Sequence, residues 1–184
     1  MNDELSNDPS VGVNFVSVKS NLSWDEYFML QAMLASYKSK DPNTKVGCVF
    51  VDKNNHQITM GYNGAIAGID EAKMPWGNDR NVPWEYQKYG YVIHGEANAI
   101  LHRNASLEEA RGYITLFPCN ECAKLIAVQK VSEIIYLSDK YKERAETRIA
   151  KRIFDLAGIR YRQLHVRDTL VDHLNDYLKS ILKM

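Results

Sequence analysis

Three features of the sequence predict an α/β fold, a layered sheet whose strands run parallel in the second half of the chain. From residue 112 onward, short apolar runs alternate with amphipathic ones, the pattern of strand–helix units. "VGCVFVD" at 46–52 is β-branched and apolar throughout, as a buried strand is. Near the start, Ser23 followed by Glu26 makes a capping box ahead of an apolar repeat at helical spacing.

Each element follows in order. Phe28, Met29, Ala32, Met33 and Ala35 form the apolar stripe of a first helix reaching to about 39. The strand 46–52 turns at Asn54-Asn55 into a second strand, "QITMGYN" (57–63). Residues 64–91 are irregular and carry Trp76, Trp84, Tyr86, Tyr89 and Tyr91. Irregular stretches of that length in compact domains are usually functional or disordered, and the density of aromatics argues against disorder. A helix then runs from about 94 to 103, a strand over 112–117, a helix over 120–129, a strand over 131–138 and a helix over 142–157. Gly158 ends that helix. "IRYRQLHV" (159–166) alternates as a fifth strand, and Leu170, Val171, Leu174, Leu178, Ile181 and Leu182 mark a final amphipathic helix. The expected organisation is a polar arm at 1–21, one unit over 22–166, and a helix at 167–184 packed on that unit.

Composition excludes several classes. A chain of 184 residues with 45% hydrophobic and 25% charged side chains fits one globular domain. Basic and acidic residues balance at 23 each, so no global field steers the protein to nucleic acid or anionic lipid. Nine Lys/Arg gather between Lys140 and Arg167 against Glu143, Glu146 and Asp155; this reads as a solvated helix face, with phosphate contact as the alternative. Three cysteines make no disulfide framework, no apolar run approaches membrane-spanning length, and the acidic N-terminus lacks the pattern of a secretory signal. A cytoplasmic protein with reduced cysteines is expected.

Two stretches carry chemistry. "HGEANAI" (94–100) sets His94 two residues before Glu96 where a helix begins, and "FPCNECAKLI" (117–126) sets Cys119 and Cys122 on the first turn of another. A helix N-terminus favours the thiolate, the metal-binding form. Two thiolates and one imidazole suit zinc, and three protein ligands leave the fourth tetrahedral position open, as in catalytic sites. Cys48 lies inside an apolar strand and reads as a small core residue. His94-Gly95-Glu96 followed by Pro118-Cys119-Asn120-Glu121-Cys122 reproduces the H-x-E…P-C-x-x-C signature of zinc deaminases, in which the glutamate is not a ligand. Either half alone is a weak signal; both together, in this order and each opening a helix, are a strong one.

Beyond that signature, "LSWDEYFM" (22–29), "SKDPNTKVG" (39–47), "GYNG" (61–64), "MPW" (74–76), "YVIHGEANAI" (91–100), "LFPCNECAKLI" (116–126) and "LSDKY" (137–141) resemble the dCMP-deaminase branch of the cytidine deaminase superfamily. The resemblance covers roughly 22–165. It implies a three-layer α-β-α sandwich around a mixed five-stranded sheet, a homohexamer, and zinc-dependent hydrolysis of dCMP to dUMP and ammonia, feeding thymidylate synthesis. Activation by dCTP and inhibition by dTTP are also implied, with Mg2+ accompanying the triphosphates. Glu96 would take a proton from zinc-bound water, protonate N3 of cytosine and deliver a proton to the departing ammonia. Asn63 resembles the family's asparagine that holds the deoxyribose, against the alternative of a plain Asn-Gly hairpin turn. Tyr141, Asn43 and Lys45 are candidates for the 5′-phosphate end, against the alternative of surface residues. Asn63, Gly64, Trp76 and Arg80 are candidates for effector contact, against the alternative that 64–91 only lids the site.

Two departures stand out: Gly95 where the family usually has alanine, and Lys130 where a glycine is common. Other functional classes are a nucleic-acid deaminase acting on a flipped base, a free-nucleoside deaminase, an enzyme that also accepts dCTP, and a non-enzymatic zinc-folded nucleotide sensor. Glu96 argues against the last, since a binding module needs no unligated base beside its metal.

Overall fold

The computed structural model describes residues 22–79, 81–167 and 170–182; the expected arm at 1–21 lies outside them. The capping box is formed: the Glu26 backbone N–H donates to Ser23 Oγ at 3.2 Å, and the Ser23 N–H donates to Glu26 Oε2 at 2.9 Å. Helix α1 (Trp24–Tyr37) therefore starts with its first orphan donors satisfied.

Strands β1 (Gly47–Val51) and β2 (Gln57–Tyr62) form an antiparallel hairpin. Its turn is held by the Asp52 carboxylate, which accepts from the Asn54 and His56 backbone N–H groups at 2.8 Å each, while Asn55 takes a left-handed backbone (φ 66°). Helix α2 (Gly95–Leu101), strand β3 (Arg111–Leu116), helix α3 (Asn120–Val128), strand β4 (Glu133–Ser138), helix α4 (Ala145–Ala157), strand β5 (Arg160–Gln163) and helix α5 (Leu170–Leu182) complete the chain. The strand order is β2-β1-β3-β4-β5, with β1–β3 antiparallel and β3–β4 and β4–β5 parallel. The mixed five-stranded sheet and the parallel second half agree with the reading of the sequence.

The period-2 alternation of the strands explains the three layers. Val49, Val51, Tyr113 and Ile135 project to one face and pack with Phe28, Met29 and Ala32 of α1. Cys48, Phe50, Ile114, Ile134 and Tyr136 project to the other, against Ala99 and Ile100 of α2, Ala123 and Ile126 of α3, and Ala150 and Phe154 of α4. β1 is apolar throughout because helices cover both its faces. Cys48 is fully buried, as a core residue should be.

Several boundaries differ from the sequence reading. The 64–91 segment contains three short 3-10 turns, Glu71–Lys73, Trp84–Tyr86 and Lys88–Gly90. α4 starts three residues later than expected, after a turn in which Arg144 N donates to Tyr141 O at 2.9 Å. β5 is confined to four residues. Lys130 takes the left-handed backbone (φ 56°) that a glycine would adopt without strain. Its ammonium ion-pairs with Glu108 at 2.9 Å, and its carbonyl accepts from Glu109 N, which holds that turn. In α5, Leu170 is buried, and Val171, Tyr177, Leu178, Ile181 and Leu182 are exposed. No helix of the described residues is long and apolar enough to cross a membrane.

Candidate active site

Helices α2 and α3 begin side by side beyond the C-terminal end of β3, the edge at which open α/β sheets bind ligands. His94 is the N-cap of α2, Cys119 is the N-cap of α3, and Cys122 lies one turn into α3. The approach of α2 to β2 depends on Gly61. A Cβ there would run into the Gly95 carbonyl and the Ala99 amide nitrogen. At Gly95 itself a Cβ would stand 3.3 Å from Tyr62 Cα and from the Val46 carbonyl, a contact that an alanine could make only if its neighbours gave by a few tenths of an ångström.

The ligand atoms of His94, Cys119 and Cys122 lie within 4.8 Å of one another. His94 Nδ1 is 3.4 Å from Cys119 Sγ and 3.5 Å from Cys122 Sγ. Zinc bonds of roughly 2.3 Å to sulfur and 2.0–2.1 Å to nitrogen, set at the tetrahedral angle, give an S···N edge of about 3.5 Å. The trio thus fits zinc in spacing and in donor chemistry.

The protonation pattern without metal is that of a charge pair. A hydrogen bond from Cys122 lowers the Cys119 thiol to about 4, against burial and with help from His94. The hydrogen bond to Cys119 raises the His94 imidazole to about 9. Cys122 is pushed up, because it gives its proton to Cys119 and is buried. Glu96 is 3% exposed, in the first turn of α2 two residues past the His94 cap, with Oε2 3.5 Å from Cys122 Sγ. Burial raises its pKa, and the Cys119 charge adds to that. A carboxyl group beside a metal trio, but outside it, is placed to exchange protons with whatever binds there.

These residues open onto a cavity of about 230 Å³ lined by His94, Glu96, Cys119, Asn63, Tyr141 and also Asp41, Thr44, Lys88, Phe117 and Arg144. The structure therefore brings five sequence candidates together around the cavity, with Cys122 in contact with His94 and Glu96 behind it. Asn43 and Lys45 do not line the cavity: Asn43 is exposed, and the Lys45 ammonium sits 5.5 Å over the Tyr37 ring. Asn63-Gly64 is no hairpin turn, since neither residue has a left-handed backbone. Gly64 instead pairs with Ile93 in an isolated antiparallel bridge that leads the chain into His94. Trp76 donates its indole N–H to the Glu71 carbonyl at 3.0 Å and lies outside the cavity. Arg80 lies outside the described residues.

Sequence reading missed Asp41, Lys88 and Arg144 as lining residues. Asp41-Pro42-Asn43-Thr44 carried a readable signal as an Asx turn, and the Asp41 carboxylate does accept from the Asn43 and Thr44 N–H groups at 2.8 and 3.1 Å. Lys88 carried none, because a lysine among tyrosines reads as solvated. Arg144 stacks its guanidinium 3.9 Å over the Tyr141 ring, a pairing that no local pattern announces.

The family model described as "Cytidine and deoxycytidylate deaminase zinc-binding region" matches residues 22–138. A protein of Drosophila melanogaster named "Probable deoxycytidylate deaminase" is 43% identical over 150 residues, 79% of this chain and 74% of its own. The "Deoxycytidylate deaminase" of Homo sapiens is 41% identical over 143 residues, 77% of this chain and 80% of its own. In fold, the chain is similar to the dCMP deaminase of the cyanophage S-TIM5 solved in complex with dCMP and dUMP, at TM-score 0.60 and 23% identity over 76% of this chain and 95% of that one. A family model spanning well over half the chain, and relatives this similar over most of their length, agree with the metal trio and its glutamate: the chain belongs to the cytidine and deoxycytidylate deaminase family.

Proposed function

We propose that this chain catalyses the hydrolytic deamination of dCMP to dUMP and ammonia. One observation carries the reading: a buried glutamate stands 3.5 Å from a sulfur of the metal trio without belonging to it, in a cavity sized for a small molecule. The similarity to curated deoxycytidylate deaminases supports dCMP as the substrate.

His94, Cys119 and Cys122 would hold the zinc. Zinc, when bound, supplies the Lewis acidity that activates water for attack at C4 of cytosine. Glu96 accepts a proton at its carboxylate, passes it to N3 and then serves the departing amine. Its burial keeps bulk water from competing for that proton. Asn63 meets the deoxyribose, and Tyr141, with Arg144 stacked on it, meets the 5′-phosphate. The deaminase unit spans 22–166, with the arm and α5 as additions to it. In this proposal the enzyme is a cytoplasmic homohexamer, activated by dCTP and inhibited by dTTP with Mg2+ on the triphosphates. The length and aromatic content of 64–91 and the family resemblance support regulation near Asn63, Gly64, Trp76 and Arg80.

The test is ammonia release from dCMP, dCTP, deoxycytidine and a short single-stranded DNA, assayed side by side. dCMP should be the preferred substrate. A preference for any of the other three would replace it, and inert zinc-loaded protein would end the enzymatic reading. The saturation curve for dCMP should be sigmoidal, relaxed by dCTP and steepened by dTTP; a hyperbolic curve indifferent to both would end the regulatory part alone.

A further inference from the structure

Lys88 lines the cavity yet is 5% exposed, and its ammonium lies 2.8 Å from Asp41 Oδ1 and 2.6 Å from Asp41 Oδ2. Asp41 is itself 2% exposed. A buried pair of this kind costs desolvation on both sides, so it is weak evidence for stability and invites a search for another role.

The partners of Asp41 indicate that role. Asp41 Oδ2 accepts from Asn63 Nδ2 at 3.2 Å, and the second Nδ2 hydrogen goes to the Thr44 carbonyl at 2.9 Å. Asn63 Oδ1 accepts from the Val46 backbone N–H at 2.7 Å. These partners also settle which way the amide points. An N–H can meet only the oxygen, while a carboxylate and a carbonyl can meet only the nitrogen. Both Asn63 donors are thus used inside the protein, and its remaining hydrogen-bonding capacity is a lone pair on Oδ1. In the cavity Asn63 can only accept, and the group it suits is a hydroxyl donor.

We infer that Lys88 is a positioning residue which, through Asp41, locks the Asn63 amide as an acceptor for a sugar hydroxyl and so makes the cavity selective for that hydroxyl. The link crosses three parts of the chain: the 3-10 turn at 88–90, the 41–46 loop and the end of β2. The same turn is fixed to the rest of its segment by Lys88 N donating to the Gly77 carbonyl and by Val92 N donating to the Lys88 carbonyl, both at 3.0 Å. Removing the ammonium leaves the Asp41 charge buried without its counter-ion, held only by the Asn43 and Thr44 N–H groups and by Asn63. Asp41 must then draw solvent or shift, and the loop that presents Thr44 and Val46 to Asn63 moves with it.

The inference rests on dCMP as substrate, and its test compares dCMP with 2′,3′-dideoxycytidine monophosphate, which lacks the 3′-hydroxyl. The variants are Lys88→Met and the double variant Lys88→Met with Asp41→Asn, which leaves no unpaired charge and guards against misfolding of the single one. Wild type should prefer dCMP by about tenfold or more in kcat/KM, since a group built to bond a hydroxyl rejects the analogue without it. In both variants the zinc content should stay at the wild-type level, KM for dCMP should rise, and the preference should fall toward unity. A merely structural role would lower both substrates together. A wild type indifferent to the 3′-hydroxyl, or zinc-loaded variants that keep the full preference, would overturn the inference. Wild-type protein inert on dCMP would instead end the substrate assignment, a result visible before any variant is made.

Discussion

Glu96 Oε2 lies 3.5 Å from Cys122 Sγ, the deepest member of the metal trio, and both side chains are buried. The carboxyl group stands beside the three donors, which would hold the metal without it. Glu96→Gln keeps the size and removes the titration. Turnover of dCMP should fall by about 10²–10⁴ or more, with zinc content and thermal unfolding near wild type. Near wild-type turnover would mean that another group moves the proton.

The metal prediction follows from the trio alone. Purified protein should carry about one zinc per chain, as a three-ligand site allows. Cys122→Ser should lose metal and activity together. Full zinc by elemental analysis in a His94→Ala, Cys119→Ser, Cys122→Ser triple variant would place the metal elsewhere.

Gly61 tests how the site is held. A methyl group there meets the backbone of α2 at Gly95 and Ala99, the helix that carries Glu96. Backbone cannot swing aside as a flexible side chain can. Gly61→Ala should cost about 1–3 kcal/mol in stability, the usual range for overpacking. It should also depress activity more than an equally destabilising change in α1, read by thermal unfolding and kcat/KM together. An active, fully stable Gly61→Ala protein would show that α2 does not rest on β2 as described.

The start of α1 gives a pH signature remote from the metal. Burial raises the Glu26 pKa, but the Ser23 N–H, Arg167 and the Ser23 hydroxyl outweigh it, and the net shift is downward from 4.5. A carboxylate whose folded pKa is depressed contributes stability above its unfolded pKa and loses it as pH falls through the folded one. The stability gap between wild type and Glu26→Gln should therefore be full at pH 7 and shrink below the ordinary value of 4.5. Ser23→Ala should cost about 1 kcal/mol at pH 7 through the lost cap. A gap that stays constant between neutral pH and pH 3 would rule out the ionised box.

Much of this protein is readable in one dimension because its signals are local. The Ser23–Glu26 box, the wholly apolar 47–51 run, the glycine at 158 and the strand–helix alternation after 112 are each set by neighbours a few residues away. The metal trio and Glu96 were legible for a related reason: helix N-termini place His94 and Cys119, and one helical turn places Cys122, so spacing encodes geometry. Tertiary structure decided what distance along the chain conceals. Lys88 and Asp41 are 47 residues apart and become one buried pair. Lys45, two residues before β1, turns to Tyr37 and away from the cavity, whereas Arg144, one of nine basic residues between Lys140 and Arg167 that read as a solvated helix face, lines it. A charged residue in a loop has no periodicity to reveal which way it faces. Its orientation is fixed only when elements from elsewhere close around it and the cost of burying a charge forces it onto a partner.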